Sequence, residues 1–247
     1  MTTIKPPLQR ALAILPLTVF ALLFAYLSIA SSNFLSASTI ELILKQAVPT
    51  VVVSIGLATV VIAGGDDVVS GGIDLSIPAT AIICAAIIAD QVTNNEASII
   101  IGLILAFGAA AIIGAVNAGL VVWVRMTPLL ATLATSVAVV GVTKVITESK
   151  RIGVSDPAVI FIRDDRILGV AAGVVLTAII AVAFWHLVHR TRWGMSLQAT
   201  GGSRDAAEIS GIDTKRFVVQ SFLLAAFAGW LASMFVLARG SGSSPGS

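Results

Sequence analysis

About seven long apolar runs, parted by shorter polar stretches, make up the pattern of this chain. A membrane-crossing helix needs about 20 mostly apolar residues. Residues 11–31, 47–63, 73–89, 98–124, 129–146, 167–188 and 217–238 are the candidates. The second is short, and the stretch from Ser38, with Glu41 and Lys45, extends it as an amphipathic first turn. The fourth is long enough to tilt. The runs are continuous rather than alternating with period two, which excludes a β-barrel. The first run is too long for the apolar region of a signal peptide, and no small-residue cleavage site follows it, so it reads as a first span. The pattern predicts an all-α fold, a polytopic transmembrane helical bundle forming a single domain over residues 1–247.

Composition sharpens this picture. Charged residues are 11% and hydrophobic residues 57% of the 247, against about 25% charged in a soluble domain. The surface therefore faces lipid over most of its extent. A net charge of +2 is no sign of nucleic acid here, because the cations sit at the ends of apolar runs. The single cysteine rules out a disulfide framework, and Cys84 inside an apolar run reads as a packing residue. With the N-terminus inside, eight cations fall on the cytoplasmic side (Lys5, Arg10, Arg125, Arg190, Arg192, Arg204, Lys215, Arg216). Six fall outside (Lys45, Lys150, Arg151, Arg163, Arg166, Arg239), and Lys144 lies within a span. The excess favours a cytoplasmic N-terminus.

Two polar interruptions carry the candidate chemistry. Residues 64–76 hold a run of Gly and Asp between two apolar stretches, including Asp66, Asp67 and Asp74. Broken helix at membrane depth is tolerated only inside protein or along a wet cavity. Asp74 or Ser76 suits the N-cap of the next helix, with Pro78 in its first turn. A helix start aimed at a cavity offers N–H groups to a polar ligand; a plain capped turn is the other reading. The second interruption, residues 190–216, contains Ser203 as an N-cap, Asp205 and Glu208 early in a short helix, and Gly211 placed to end it with Ile212 folding back on Ala207. The small Ala206 and Ala207 would let a partner approach closely, as in docking into a groove; a solvated loop helix is the alternative. Elsewhere, Asn117 inside a long span reads as a hydrogen bond between helices. His186 and His189 read as interfacial, without carboxylates at ligand spacing, so no metal site is expected. No phosphate-cradling G-x-x-x-x-G-K-[ST] loop is present, nor a nucleophile elbow or zinc motif.

At these segments the chain resembles the permease subunits of bacterial ABC importers for monosaccharides, of the ribose, xylose, galactose and autoinducer-2 type. Ser70-Gly71-Gly72-Ile73-Asp74-Leu75-Ser76 is similar to the family's S-G-G-I-D-L-S signature. Asn117 to Val122 and Thr127 to Thr135 resemble its N-G-x-L-V…P-x-x-A-T-L-x-T block. Arg190 to Gly194 and Gly201 to Ile212 resemble its R-T-x-x-G…A-A-x-x-S-G-I loop, and Asp205-Ala206-Ala207 with Gly211 has the shape of the E-A-A-x-x-x-G coupling motif. The order of the blocks matches from about residue 15 to 247. Three features depart from the pattern: residues 65–69 resemble an insertion, Pro78 replaces a small residue, and family members continue with further helices. The chain thus resembles a member cut short, with its Gly/Ser ending part of a natural loop.

The resemblance implies a transport subunit that performs no bond chemistry and binds no cofactor, ATP being bound by a separate cytoplasmic ATPase. It implies a periplasmic sugar-binding protein, a second permease subunit and the lipid bilayer as partners, no nucleic acid, and an inner-membrane location. Gly71, Gly72, Asp74, Ser76 and Asn117 would lie near the substrate pathway. Ser203, Arg204, Asp205, Ala206, Ala207 and Gly211 would form the coupling loop to the ATPase. Two rivals are an ion-coupled secondary transporter using Asp66, Asp67 or Asp74, and an intramembrane enzyme, which lacks paired catalytic groups on facing spans.

Overall fold

The computed structural model describes residues 6–65, 72–240 and 242–243, with side chains from Ile14 onward. In chain order its elements are α1 (Pro6–Ala30), α2 (Ala37–Gly64), α3 (Ile77–Thr93), α4 (Ile99–Val122), α5 (Pro128–Ile146), β1 (Ile152–Gly153) and α6 (Pro157–Asp164). They continue with β2 (Arg166–Ile167), β3 (Val170–Ala171), α7 (Ala172–Arg190), α8 (Arg192–Gly202), α9 (Arg204–Ile209), α10 (Thr214–Gly240) and β4 (Gly242–Ser243). Each of the seven apolar runs holds a helix, and among the described residues five helices are long and apolar enough to cross a membrane: α2, α4, α5, α7 and α10. The described part of α1, Ile14–Ala30, and α3 are shorter apolar helices.

Two helices start four or five residues later than the sequence expectation, each for a local reason. The third helix starts at Ile77 and not at residue 73. The Asp74 carboxylate accepts the Ser76 N–H at 2.8 Å, an Asx-type bond that competes with helical pairing. The sixth run becomes helical at Ala172 and not at 167. Before it, β2 and β3 pair antiparallel, Ile167 against Val170. Their two-residue turn, Leu168 and Gly169, has φ of 52° and 82°, the mirror-image turn that matches strand twist.

The chain forms two compact units, residues 1–44 and 45–247, with the boundary inside α2. In the first, Phe24 meets Phe34 edge-on with ring centroids 5.5 Å apart, and Ser36 Oγ accepts the Thr39 N–H at 3.3 Å as α2 begins.

In the second unit α10 is the hub, packed on α3 and α4, while α3 also packs on α4 and α5. Lipid tails are as apolar as leucine, so these helices gain by close packing rather than by escape from solvent. At Gly114 of α4 a Cβ would stand 2.9 Å from the Ala226 Cβ and 3.1 Å from the Phe222 carbonyl oxygen; only glycine permits that approach. Cys84 is fully buried and its thiol donates to the Ala106 carbonyl at 3.3 Å, which fits the packing role read for it. The Trp230 indole N–H donates to the Leu103 carbonyl at 3.0 Å, tying α10 to α4. Outward faces remain apolar, with Ile104 and Ile112 of α4 and Val137 of α5 exposed, as a lipid-facing surface requires.

Candidate functional site

Between α2 and α3 the backbone of Gly72 to Ser76 is non-helical. α3 has 17 residues, about 26 Å at 1.5 Å per residue, shorter than a hydrocarbon core of about 30 Å, and this leg precedes it. Two things hold it in place. A Cβ on Gly72 would land on the Val60 carbonyl oxygen of α2, so the leg lies directly against that helix backbone. A buried polar network supplies the rest. Asp74 Oδ1 accepts from the Ser76 amide at 2.8 Å and from the Ser76 hydroxyl at 2.6 Å. Asn117 of α4 donates its amide to Ser76 Oγ at 2.7 Å. The Leu75 N–H donates to Thr132 Oγ1 of α5 at 3.1 Å, and Thr132 in turn donates to the Pro128 carbonyl at 2.8 Å.

Asp74, Ser76, Asn117 and Thr132 are all at most 3% exposed, so they meet one another rather than an open channel. Because Ser76 spends its one hydroxyl hydrogen on Asp74, Asn117 must present its NH₂ to Ser76. Its carbonyl oxygen is then left buried and without a partner. The hydrogen bond between helices read for Asn117 is present. Ser76 begins α3 but makes no side-chain cap bond, and Pro78 fits the first turn. Thr132 belongs to this cluster and is absent from the sequence-derived set, although it sits in the P-L-L-A-T block one turn after Pro128. Gly71, Asp66 and Asp67 lie outside the described residues.

The second segment contains two helices where one short helix was expected. α8 begins with Thr191, whose hydroxyl accepts the Gly194 N–H at 3.2 Å, a threonine cap whose residue type was legible. After it, Ser203 caps α9 by accepting the Ala206 N–H at 3.3 Å. α9 ends as read: Gly211 has φ +82°, its N–H reaches the Glu208 carbonyl at 2.9 Å, and the Ile212 N–H reaches the Ala207 carbonyl at 2.9 Å. This paired closure is the Schellman arrangement that favours glycine. Glu208 also accepts from the Thr214 hydroxyl at 2.6 Å, tying α9 to the start of α10. Ala206 faces outward, but Ala207 is buried within the chain's own fold. The large outward apolar side chain on α9 is Ile209, 88% exposed. Arg204 and Asp205 are exposed beside it.

The fold brings the two segments together. A Cβ on Gly201, at the end of α8, would strike the Ile62 carbonyl oxygen of α2, and one on Gly65 would strike the Gly201 carbonyl oxygen. The chain entering the first interruption thus rests, backbone on backbone, on the chain leading into α9. Separately, His189 stacks on Trp185 with centroids 5.8 Å apart, and the Arg190 guanidinium lies 5.4 Å from the same ring. Among the described residues no group of three His, Cys, Asp or Glu is placed to hold a metal ion.

The description "Branched-chain amino acid transport system / permease component" matches residues 39–247. The ribose import permease protein RbsC of Escherichia coli strain K12 is 29% identical over 233 residues, 93% of this chain and 70% of the relative. The D-allose transport system permease protein AlsC of the same strain is 29% identical over 213 residues, 86% of this chain and 63% of the relative. Its galactofuranose transporter permease protein YtfT is 31% identical over 196 residues, 79% and 55% of the two chains. No solved structure matches. These relatives give no support to an ion-coupled secondary transporter. Taken with the apolar helices, they make this a multi-pass inner-membrane protein that serves as a transport subunit rather than an enzyme. Matched over residues 39–247, the chain belongs to the branched-chain amino acid transport system / permease component family and is the permease component of an ABC importer.

Proposed function

We propose that this permease moves a monosaccharide, or a similar small polar solute, inward by alternating access. The observation that carries the reading is the similarity to a ribose import permease along 93% of the chain. Two such permeases would pair around a central pathway, with cytoplasmic ATPases on one side and a periplasmic sugar-binding protein on the other. ATP is bound and hydrolysed by the partner. The N-terminus is cytoplasmic in this reading, as the cation excess over the short loops favours, and that places residues 190–216 at the ATPase.

The non-helical leg from Gly72 to Ser76, with Asp74 and Ser76 bonded to Asn117 of α4, stands beside the pathway, to which this reading also assigns Gly71. Its polar groups, buried among apolar spans, are costly to keep there without a task. The loop from Ser203 to Gly211 couples the permease to the ATPase. Its short, doubly closed helix presents Ala206 and Ile209 outward, the form of an element that docks in a groove. Motion there would reach the leg through the contact of Gly201 with Ile62 and Gly65.

The test is uptake of radiolabelled ribose and a panel of hexoses by proteoliposomes holding the permease, its ATPase and its sugar-binding protein. ATP-dependent accumulation of one sugar is expected. Uptake driven by a proton or sodium gradient without ATP, or no sugar transported at all, overturns the reading.

A further inference from the structure

A cavity of about 360 Å³ opens where the ends of three membrane helices meet: the last turn of α4, the start of α5 and the start of α10. Its remaining wall is α9. Three cations line it, Arg125, Arg204 and Lys215, against one carboxylate, Glu208. The Glu208 carboxylate already accepts the Thr214 hydroxyl at 2.6 Å. None of the three cations has an ion-pair partner among the described residues. Among the described residues that line it, the cavity therefore carries an excess of positive charge, with donors in plenty and few acceptors.

Arg125 is held there at a cost. It has φ +62°, a conformation uncommon for a residue with a Cβ, in the turn that stops α4 by closing the Met126 N–H on the Leu120 carbonyl at 3.0 Å. Glycine would make this stop without steric cost. An arginine in its place brings a guanidinium to the cavity rim, and a guanidinium fork matches a phosphate's oxygens. The location fits as well. Trp123, the residue after α4, is 70% exposed, as a ring at the headgroup level of a bilayer would be. Val121, Val122 and Val218 add an apolar floor to the charged rim.

We propose that this cavity is a phosphate-binding site, taking the phosphate of an anionic lipid headgroup or free inorganic phosphate. Basic pockets between membrane helices bind such headgroups through the same chemistry. The proposal requires only that the chain lies in a membrane, and does not rest on the transported solute or on the ATPase.

The experiment uses the purified full chain. One arm is native mass spectrometry after extraction from nanodiscs of phosphatidylcholine with and without phosphatidylglycerol. The other arm titrates inorganic phosphate into lipid-stripped protein and follows thermal stability. A lipid site retains phosphatidylglycerol and is not emptied by millimolar phosphate; a free-phosphate site shows the stabilisation and retains no lipid. Either result supports the proposal if it weakens about fivefold in Arg125→Gln or Lys215→Gln and about thirtyfold in the double variant, from about 1 kcal/mol per cation near the surface. Arg125→Lys, which keeps the charge, retains part of the binding. Arg239→Gln is the control. It removes the same charge from the far end of α10, 24 positions on from Lys215, about 36 Å along the helix, and should leave binding unchanged. Loss of neither ligand in the double variant, equal loss in Arg239→Gln, or no binding in either arm overturns the proposal. So does a double variant that binds both ligands normally yet fails to co-purify with the ATPase, since the cations would then serve an acidic protein surface.

Discussion

Ser76 is the residue on which the buried network turns, since it both donates to Asp74 and accepts from Asn117. Replacing it with alanine strips one donor from the carboxylate and leaves the whole Asn117 amide without a partner. Orphaning a buried polar group costs about 1–3 kcal/mol. Asn117→Ala removes a group whose carbonyl is already unpaired and leaves the Asp74–Ser76 bonds intact. Ser76→Ala should therefore melt at a clearly lower temperature than Asn117→Ala in the same detergent, as followed by thermal denaturation. The reverse order would show that the network does not hold the leg. Gly211 gives a second residue-scale test. Its φ of +82° is closed to β-branched side chains, and Gly211→Val should cost about 1–2 kcal/mol locally. That loss is expected as reduced co-purification of the ATPase with membrane insertion unchanged.

At the scale of elements, α9 divides into an inward and an outward face. Ala207 belongs to the inward one, so Ala207→Leu would disturb the loop's own packing and says nothing about a partner. The outward face is read instead through Ile209. Ile209→Ser removes an exposed side chain, so thermal stability should stay within about 0.5 kcal/mol of the parent. ATPase co-purification and vesicle uptake should both fall. Normal co-purification would make α9 an ordinary solvated helix. The junction of α8 with α2 is stiffer ground. Gly201→Ala places a methyl group on the Ile62 carbonyl, where both contacting groups are backbone and neither can rotate away. The α8 end and residues 62–65 must then separate. If this contact carries motion between α9 and the leg, Gly201→Ala keeps the ATPase bound but uncouples ATP hydrolysis from uptake. Gly202→Ala, one residue on, meets nothing within 4 Å and should transport as the parent does.

At the scale of the whole molecule, orientation is the property with the widest consequence. The one cysteine, Cys84, is fully buried, so the natural chain offers little background to a membrane-impermeant maleimide. In intact cells, Lys150→Cys should be labelled from outside, and Asp205→Cys only after the membrane is opened. The opposite pattern would invert the topology and place α9 on the wrong side for an ATPase. Packing around α10 is the other molecular property. Its contacts with α3 and α4 are made by small residues at close range, as at Gly114 and Ala226.

The existence of each apolar helix was legible in the chain because lipid demands long uninterrupted runs, and that demand is written residue by residue. So was the closure of α9, whose serine cap and glycine stop are local choices of backbone conformation. α6 starts on the same kind of signal, Asp156 accepting the Ala158 N–H at 2.8 Å with a proline next in the chain, but its eight residues are too few to register as a long apolar run. What lay beyond the sequence was which side chains meet. Residues 76 and 117, or 62 and 201, are brought together by helix packing, and no period or spacing along the chain encodes that. The inward turn of Ala207, the orphaned carbonyl of Asn117 and the gathering of Arg125, Arg204 and Lys215 around one cavity belong to the tertiary structure alone. Each depends on where helices distant in sequence come to rest, which is decided by close contact between small residues rather than by any local preference.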